Sequence, residues 1–284
     1  MGPGRMRVAN VFRTDPTNAG DWHCAPFRYF DLGDSFFDVL DISNKKKATG
    51  AEYPPPDARG EHVVLGGGGL IAKSFHESMA ALASRRAAML SLVAWGIGES
   101  EHVDRRGGLV APYAGPLPEY MRAFDLIGLR DVGGLHDSRV EWAPCVSCMS
   151  PLFDQPRIFT REAVIYEHKR IPIPIDGLER MTNDGGDMAP KLDFLASAEI
   201  VITNSYHGAY WATLLGRRVV AVPNMSKMYR LRHAPVICAP DSWRRYAPLA
   251  RSYADALDEC RAASCAFHCK VAALHAAIEE KRNR

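Results

Sequence analysis

Val201 to Pro223, VITNSYHGAYWATLLGRRVVAVP, is the stretch from which the fold can be read. Ile200–Thr203 is an apolar, β-branched run, the mark of a strand buried in a parallel sheet. Asn204 and Ser205 break it, and both are good N-cap residues. His207–Leu215 then has helical spacing, with Tyr210, Trp211, Leu214 and Leu215 sharing a stripe. Gly216 ends the helix, and Arg217–Arg218 stand where its negative end favours cations. Val219–Val222 is a second strand, stopped by Pro223. The result is one βαβ unit of an α/β sheet with minimal loops. Its polar tip, Asn204–Gly208, lies past a strand's C-terminal end and at a helix start, where such sheets bind ligands.

The same alternation extends in both directions. Arg7–Phe12 reads as the first strand, followed by a polar loop that ends at Asp21. Asp21 is a candidate base or sugar-hydroxyl acceptor, or else a helix cap or turn residue. Phe36–Ile42 is a second apolar stretch, and Lys45–Pro56 a charged, then Pro-rich surface loop. His62–Leu65 is a strand running into Gly66–Gly69. Four glycines after a strand let backbone N–H groups approach an anion or a sugar. They match neither GxGxxG nor a P-loop. Ser74–Ala88 reads as a helix, and Leu90–Trp95 as a strand ending at Gly96. Phe124–Leu129 ends in Arg130–Asp131, where the Arg suggests an oxyanion ligand or else pairs with Asp131 at the surface.

Val140–Ala143 leads to Cys145-Val146-Ser147-Cys148, and a linker falls near residues 145–157. A zinc site would need a second ligand pair, and a thioredoxin-like site would sit earlier in the chain. The motif therefore reads as two thiols in a tight loop beside a cleft. Beyond it the α/β pattern restarts. Ala163–Glu167 is a strand, Ile171–Ile175 is extended, and Met181–Asp187 is a polar loop. Met188–Ala198 is a helix with Pro190 in its first turn. Lys227 lies in a polar loop, Pro235–Ala239 is a short strand, and Ser252–Cys260 and Cys265–Glu280 are closing helices. Cys265 and Cys269 share a helix face near His268, a spacing that small core residues also show.

The 284 residues are 47% hydrophobic, enough for two cores, and the formal charge of +2 gives no general pull toward nucleic acid. The clusters Lys45–Lys47 and Arg244–Arg245 read as solvated surface. No run approaches a membrane span and no apolar signal core opens the chain, so a cytoplasmic protein is expected. Seven cysteines, an odd number in a large chain, point to reduced thiols. The expected architecture is α/β: two Rossmann-like domains facing across a cleft. Residues 1–148 form the acceptor side and 149–284 the donor side, with the final helix packing back on the first domain. Candidate anion groups are Arg130, His207 at its helix start, Lys227 and the Gly66–Gly69 backbone.

Several stretches, in this order, resemble the polysaccharide pyruvyl transferase family. They are Asn18-Ala19-Gly20-Asp21, Gly66–Gly69, Ile127-Gly128-Leu129-Arg130-Asp131, and Thr203-Asn204-Ser205-Tyr206-His207-Gly208 followed by Leu215-Gly216 and Val219–Pro223. The last is the most specific. The resemblance implies a GT-B-like fold. It also implies transfer of an enolpyruvyl-derived group from phosphoenolpyruvate to sugar hydroxyls, giving a pyruvate ketal in exopolysaccharide or cell-surface glycan synthesis. The implied acceptor is a saccharide or lipid-linked saccharide, with peripheral association with membrane-bound glycan assembly. No cofactor and no metal is expected beyond the donor. Many members read Arg-x-His at the His block. Here His207 keeps the His position and Ser205 stands at that of the Arg, while Arg130 matches the family's other donor-site Arg.

The roles that follow are His207 as proton donor or phosphate ligand and Asp21 as base. Arg130, Ser205, Gly208, Lys227, Gly67 and Gly68 bind the donor. Two other readings use the same residues: a GT-B-type glycosyltransferase taking a nucleotide sugar, and a non-catalytic glycan- or anion-binding relative.

Overall fold

A computed structural model describes residues 6–32, 36–42, 61–101 and 114–284. The expected surface loop Lys45–Pro56, with its lysine cluster, lies outside them. In chain order the strands are β1 (Arg7–Phe12), β2 (Phe36–Asp41), β3 (His62–Ile71), β4 (Ser91–Glu99), β5 (Gly115–Pro116), β6 (Leu126–Leu129), β7 (Leu135–His136) and β8 (Val140–Trp142). They continue as β9 (Arg161–Glu167), β10 (Arg180–Thr182), β11 (Ala198–Thr203), β12 (Arg218–Ala221) and β13 (Val236–Ile237). The α-helices are α1 (Ala19–Trp22), α2 (His76–Ser84), α3 (Ala189–Ala196), α4 (Tyr206–Leu214), α5 (Trp243–Tyr246) and α6 (Ala256–Asn283).

Two parallel sheets result. The first runs β2-β1-β3-β4-β6-β8 and the second β10-β9-β11-β12-β13, with β5 and β7 forming a separate pair. Parallel sheets need both faces covered, and β4 is accordingly buried along its whole length. Counted within its own sheet, each begins in the order 2-1-3-4-5. The strand order thus reverses between β1 and β3, and again between β9 and β11. Such switch points open a crevice at the strands' carboxyl ends.

The glycine run departs from the sequence expectation. Gly66–Gly69 does not follow β3 but lies within it, with a register shift after Gly68. Gly67 and Gly68 have φ of 71° and 93°. These values bulge the strand where any other residue would be strained. The carbonyl of Cys24 lies 2.1 Å from where a Cβ on Gly67 would stand. The glycines thus let the segment after α1 pack directly on the sheet. β4 likewise continues through Gly96 to Glu99.

Helix α4 is enclosed on all sides, every residue from Tyr206 to Leu214 being buried, so the expected single stripe is a full apolar circumference. The two closing helices are one helix, α6, unbroken through Arg261–Ser264. It packs back on the first half. Arg261 Nε donates to the Cys148 carbonyl at 3.0 Å. Phe267 meets Trp95 edge-on at 5.3 Å, and His275 stacks on His62 at 4.0 Å. The segment between the sheets is no loose linker. It holds two 3-10 turns, Val146–Met149 and Pro151–Asp154, and residues Cys145–Cys148 are buried.

Candidate functional site

Segments that follow the two switch points meet at one place. Between them lies a cavity of about 180 Å³ whose walls include Asn18, Asp21, Gly68, Gly69 and Ser100 from the first half. His168, Asn183, Ser205, His207 and Lys227 line it from the second. Two sets of contacts cross beside it. Lys169 Nζ donates to the Thr17 carbonyl at 2.6 Å and Gly185 N to the same oxygen at 3.1 Å. On the other side Glu101 N donates to Ser226 Oγ at 2.9 Å and Ser226 N to the Glu101 carbonyl at 3.0 Å. These contacts carry Lys227, which follows Ser226, to the cavity wall.

Asp21 is set by Asn18, the N-cap of α1. Asn18 Oδ1 accepts from Gly20 N at 3.1 Å, and its Nδ2 donates to Asp21 Oδ2 at 2.9 Å. The carboxylate is thereby fixed toward the cavity with lone pairs to spare. Burial pushes its pKa up, and Lys227 opposes the rise. Sequence reading offered Asp21 as a base or a cap; the cap is Asn18.

His207 stands at the start of α4, held between halves. Its Nε2 lies 3.4 Å from Cys145 Sγ. On the other side a Cβ at Gly20 would fall 2.0 Å from Nδ1, so only glycine leaves room for the ring. Burial, then the charges of Arg130 and Lys227, keep the pKa of His207 well below the ordinary histidine value. The ring is therefore neutral near pH 7, and an imidazolium acid is not its resting form.

Lys227 has no hydrogen-bond or ion-pair partner among the described residues. Burial first, then Arg130, lowers its pKa to about 8, against the pull of Asp21 and Asp131. Arg130 lies one layer back and is not a cavity-lining residue. Its guanidinium carbon rests 3.6 Å from the Tyr206 ring centroid, and Tyr206 itself lines the cavity. Its Nη2 lies 3.3 Å from where a Cβ of Gly69 would be. Neither is it half of a surface ion pair: Arg130 and Asp131 are both buried, 4.0 Å apart. Burial pushes Asp131 up to about 6, and Arg130 opposes that rise.

Three other assignments change. Ser205 lines the cavity, but its Oγ accepts from Gly208 N at 3.4 Å as the N-cap of α4. Gly208 does not line it; a Cβ there would meet Thr203 Oγ1 and Tyr166 Cδ1 at 2.5 Å, so its role is close packing. Gly67 faces Cys24, leaving Gly68 and Gly69 as the glycines at the wall. Arg13, Asn18, Ser100, His168 and Asn183 also line the site, and Gly20 and Cys145 pack against His207, without having been assigned a role in it. Asn18 and Gly20 belong to a stretch already notable for its motif, whereas Ser100 and Asn183 carried no signal.

Among the described residues, no three His, Cys, Asp or Glu side chains come together in a way that could hold a metal ion. Cys265 and Cys269 are exposed on α6. No helix among the described residues is long and apolar enough to cross a membrane.

No protein-family model and no curated protein matches this sequence. Among solved structures, the crystal structure of an uncharacterized protein from Klebsiella pneumoniae matches at 13% sequence identity. That match has a TM-score of 0.45 and covers 78% of this chain and 84% of that one.

Proposed function

We propose that this chain transfers an enolpyruvyl-derived group from phosphoenolpyruvate to sugar hydroxyls, closing a pyruvate ketal, on a GT-B-like pair of facing α/β domains. One observation carries the reading. Stretches far apart in sequence that resemble the pyruvyl transferases, Asn18–Asp21, Gly68–Gly69 and Ser205–His207, meet around one cavity. Arg130 stands directly behind its wall. The size of the cavity, about 180 Å³, suits a three-carbon phosphorylated donor.

Charge supports the same donor. The Lys227 ammonium and the amino-terminal turn of α4 face the cavity, and both favour a multiply charged anion. Neutral His207 then serves as a phosphate ligand. Proton donation to the methylene carbon falls to Lys227, whose pKa of about 8 lies near working pH. Protonation turns the methylene into a methyl group and leaves an electrophilic C2. A sugar hydroxyl attacks C2 while Asp21 takes its proton. A second hydroxyl then displaces phosphate, returning a proton to Lys227, and the proton on Asp21 leaves with the phosphate. Of the two hydroxyl protons, one ends in the methyl group and one on phosphate.

Calorimetric titration with phosphoenolpyruvate, beside a panel of nucleotide sugars, tests the donor. Phosphoenolpyruvate binding by the wild type, with phosphate release lost in His207→Ala and Arg130→Ala proteins that circular dichroism shows to be folded at the assay temperature, is the expected result. Binding of a nucleotide sugar alone overturns it.

A further inference from the structure

The interior side of His207 is wired to a chain of three other buried side chains. Nε2 lies 3.4 Å from Cys145 Sγ, which in turn lies 3.2 Å from Ser147 Oγ. Ser147 Oγ accepts from Trp211 Nε1 at 3.0 Å. Cys145, Ser147 and Trp211 are all wholly buried. The turn that carries the thiol is pinned as well, because Tyr210 donates its hydroxyl proton to the Cys145 carbonyl at 2.9 Å.

Donor accounting fixes the direction of this chain. An indole nitrogen can only donate, so Ser147 Oγ is the acceptor from Trp211. The single proton of Ser147 then has one remaining side-chain neighbour, Cys145 Sγ. With its sulfur accepting from Ser147, Cys145 turns its own S–H toward Nε2. The opposite direction would bring two donors onto Ser147 Oγ and leave the serine proton without an acceptor, a costly state for a buried group. A ring nitrogen that accepts carries no proton, so the single proton of the neutral imidazole sits on the other nitrogen, Nδ1. Nδ1 has no hydrogen-bond partner among the described residues, yet it is absent from the sealed, unsatisfied atoms of the interior, and His207 lines the cavity.

We infer that Cys145 and Ser147 are positioning residues that fix His207 as its Nδ1–H tautomer, so that the cavity meets an N–H donor and not a lone pair. The inference deepens the proposed function, resting on it for the identity of the anion. A neutral ring of this tautomer selects ligands that present acceptor oxygens to His207, namely a phosphate or a carboxylate. It cannot take a proton from a sugar hydroxyl at Nδ1, which leaves that task to Asp21. It also gives the Cys145-x-x-Cys148 stretch a use that needs neither metal nor redox chemistry. A thiol is a suitable group at this point, since burial raises its pKa and keeps its proton in place.

The test is nitrogen NMR of ligand-free protein labelled with ¹⁵N-histidine, near neutral pH, with His207→Gln to assign the resonances. The expected wild-type spectrum has a protonated, pyrrole-type Nδ1 and an unprotonated, pyridine-type Nε2 for His207. Cys145→Ser keeps a donor and is expected to retain that pattern, whereas Cys145→Ala is expected to shift the proton toward Nε2. A pyrrole-type Nε2 in the wild type overturns the inference, and this readout needs no variant to fold. Inorganic phosphate is the ligand probe. Losing an N–H bond to a charged oxygen is expected to weaken its binding about tenfold or more in Cys145→Ala. Cys145→Ser is expected to stay near wild type. Unchanged phosphate affinity in a Cys145→Ala protein with a shifted tautomer overturns the ligand-selecting role. The two readings fail separately. The Nδ1–H form in a protein without affinity for phosphoenolpyruvate overturns pyruvyl transfer alone, and the Nε2–H form in a protein that turns it over overturns the tautomer alone.

Discussion

Acidification should release α6, and His275 gives the size of the effect. His275 is buried on α6, stacked on His62 at 4.0 Å, with Nε2 lacking a hydrogen-bond partner among the described residues. Burial, then the neighbouring His62 and His268, lowers its pKa from 6.5 to about 3. His62 is lowered too, by burial, although Glu279 on the same helix opposes the shift through its bond to His62 Nε2. The sign follows from linkage. Burial disfavours the charged form of both rings, so the unfolded chain binds more protons below its own histidine pKa. The stability is therefore whole above 6.5 and is lost as pH falls from there toward 3. For His275 alone the loss between about pH 8 and about pH 5 comes to about 2 kcal/mol. In a chain of this length that is a fall of roughly 3–4 °C in melting temperature. Thermal melts of the wild type and of His275→Phe across this range measure it. The Phe variant keeps a stacked ring and cannot charge, so its curve should be flatter by about that amount. Equal pH slopes in the two proteins would refute the assignment. Because α6 packs on Cys148 and on the first sheet together, the same acid step should also loosen the walls of the cavity.

Two further outcomes bear on the site itself. Gly20→Ala puts a methyl group 2.0 Å from His207 Nδ1, so the ring must move; a loss of about 1–3 kcal/mol in thermal stability is expected. Phosphate release should fall at least ~10-fold in the same variant, because misplacing a ligand-binding group costs rate even where the fold survives. Lys227 predicts a basic limb in the pH profile of kcat/KM for phosphoenolpyruvate, near the pKa of about 8 of the free protein, with activity falling as the ammonium loses its proton. Lys227→Arg should move that limb out of range, and Lys227→Met should remove it along with most of the activity.

Some of this site can be read from the sequence and some cannot, for physical reasons visible at particular residues. The β11–α4 unit is legible because β-branched residues, an N-cap and a terminal glycine each signal locally. Gly66–Gly69 is ambiguous because glycine carries no side chain to mark a face, and the same four residues serve a loop or a bulged strand. The break expected between Cys260 and Cys265 does not occur, since Arg261-Ala262-Ala263-Ser264 is compatible with a helix and both ends gain packing partners. In the sequence Cys145 reads as one of two thiols in a tight loop beside a cleft, with no further use assigned to it. The atom it touches, His207 Nε2, is 62 positions away, and no local pattern encodes that contact. Gly20 is the mirror case: its missing side chain has meaning only once His207 has been laid against it.

The same distinction bears on the cation at the site. If the positive charge beside the donor had to come from the His block, Ser205 would leave the cavity short of it. Ser205 instead caps α4, and its place at the wall brings no charge. Two cations reach the wall: Arg13, which is already paired with Asp41 at 2.7 Å, and Lys227, presented from the loop after β12 by the paired Ser226–Glu101 hydrogen bonds; Arg130 adds a third from behind Gly69. A cavity lined from two switch points draws on many loops. The residue that supplies a charge can therefore change position in sequence while the charge stays in place. On that argument a serine at the expected arginine position counts little against an anionic donor, and substitution of Lys227 should cost far more than any change at Ser205 that preserves the helix cap.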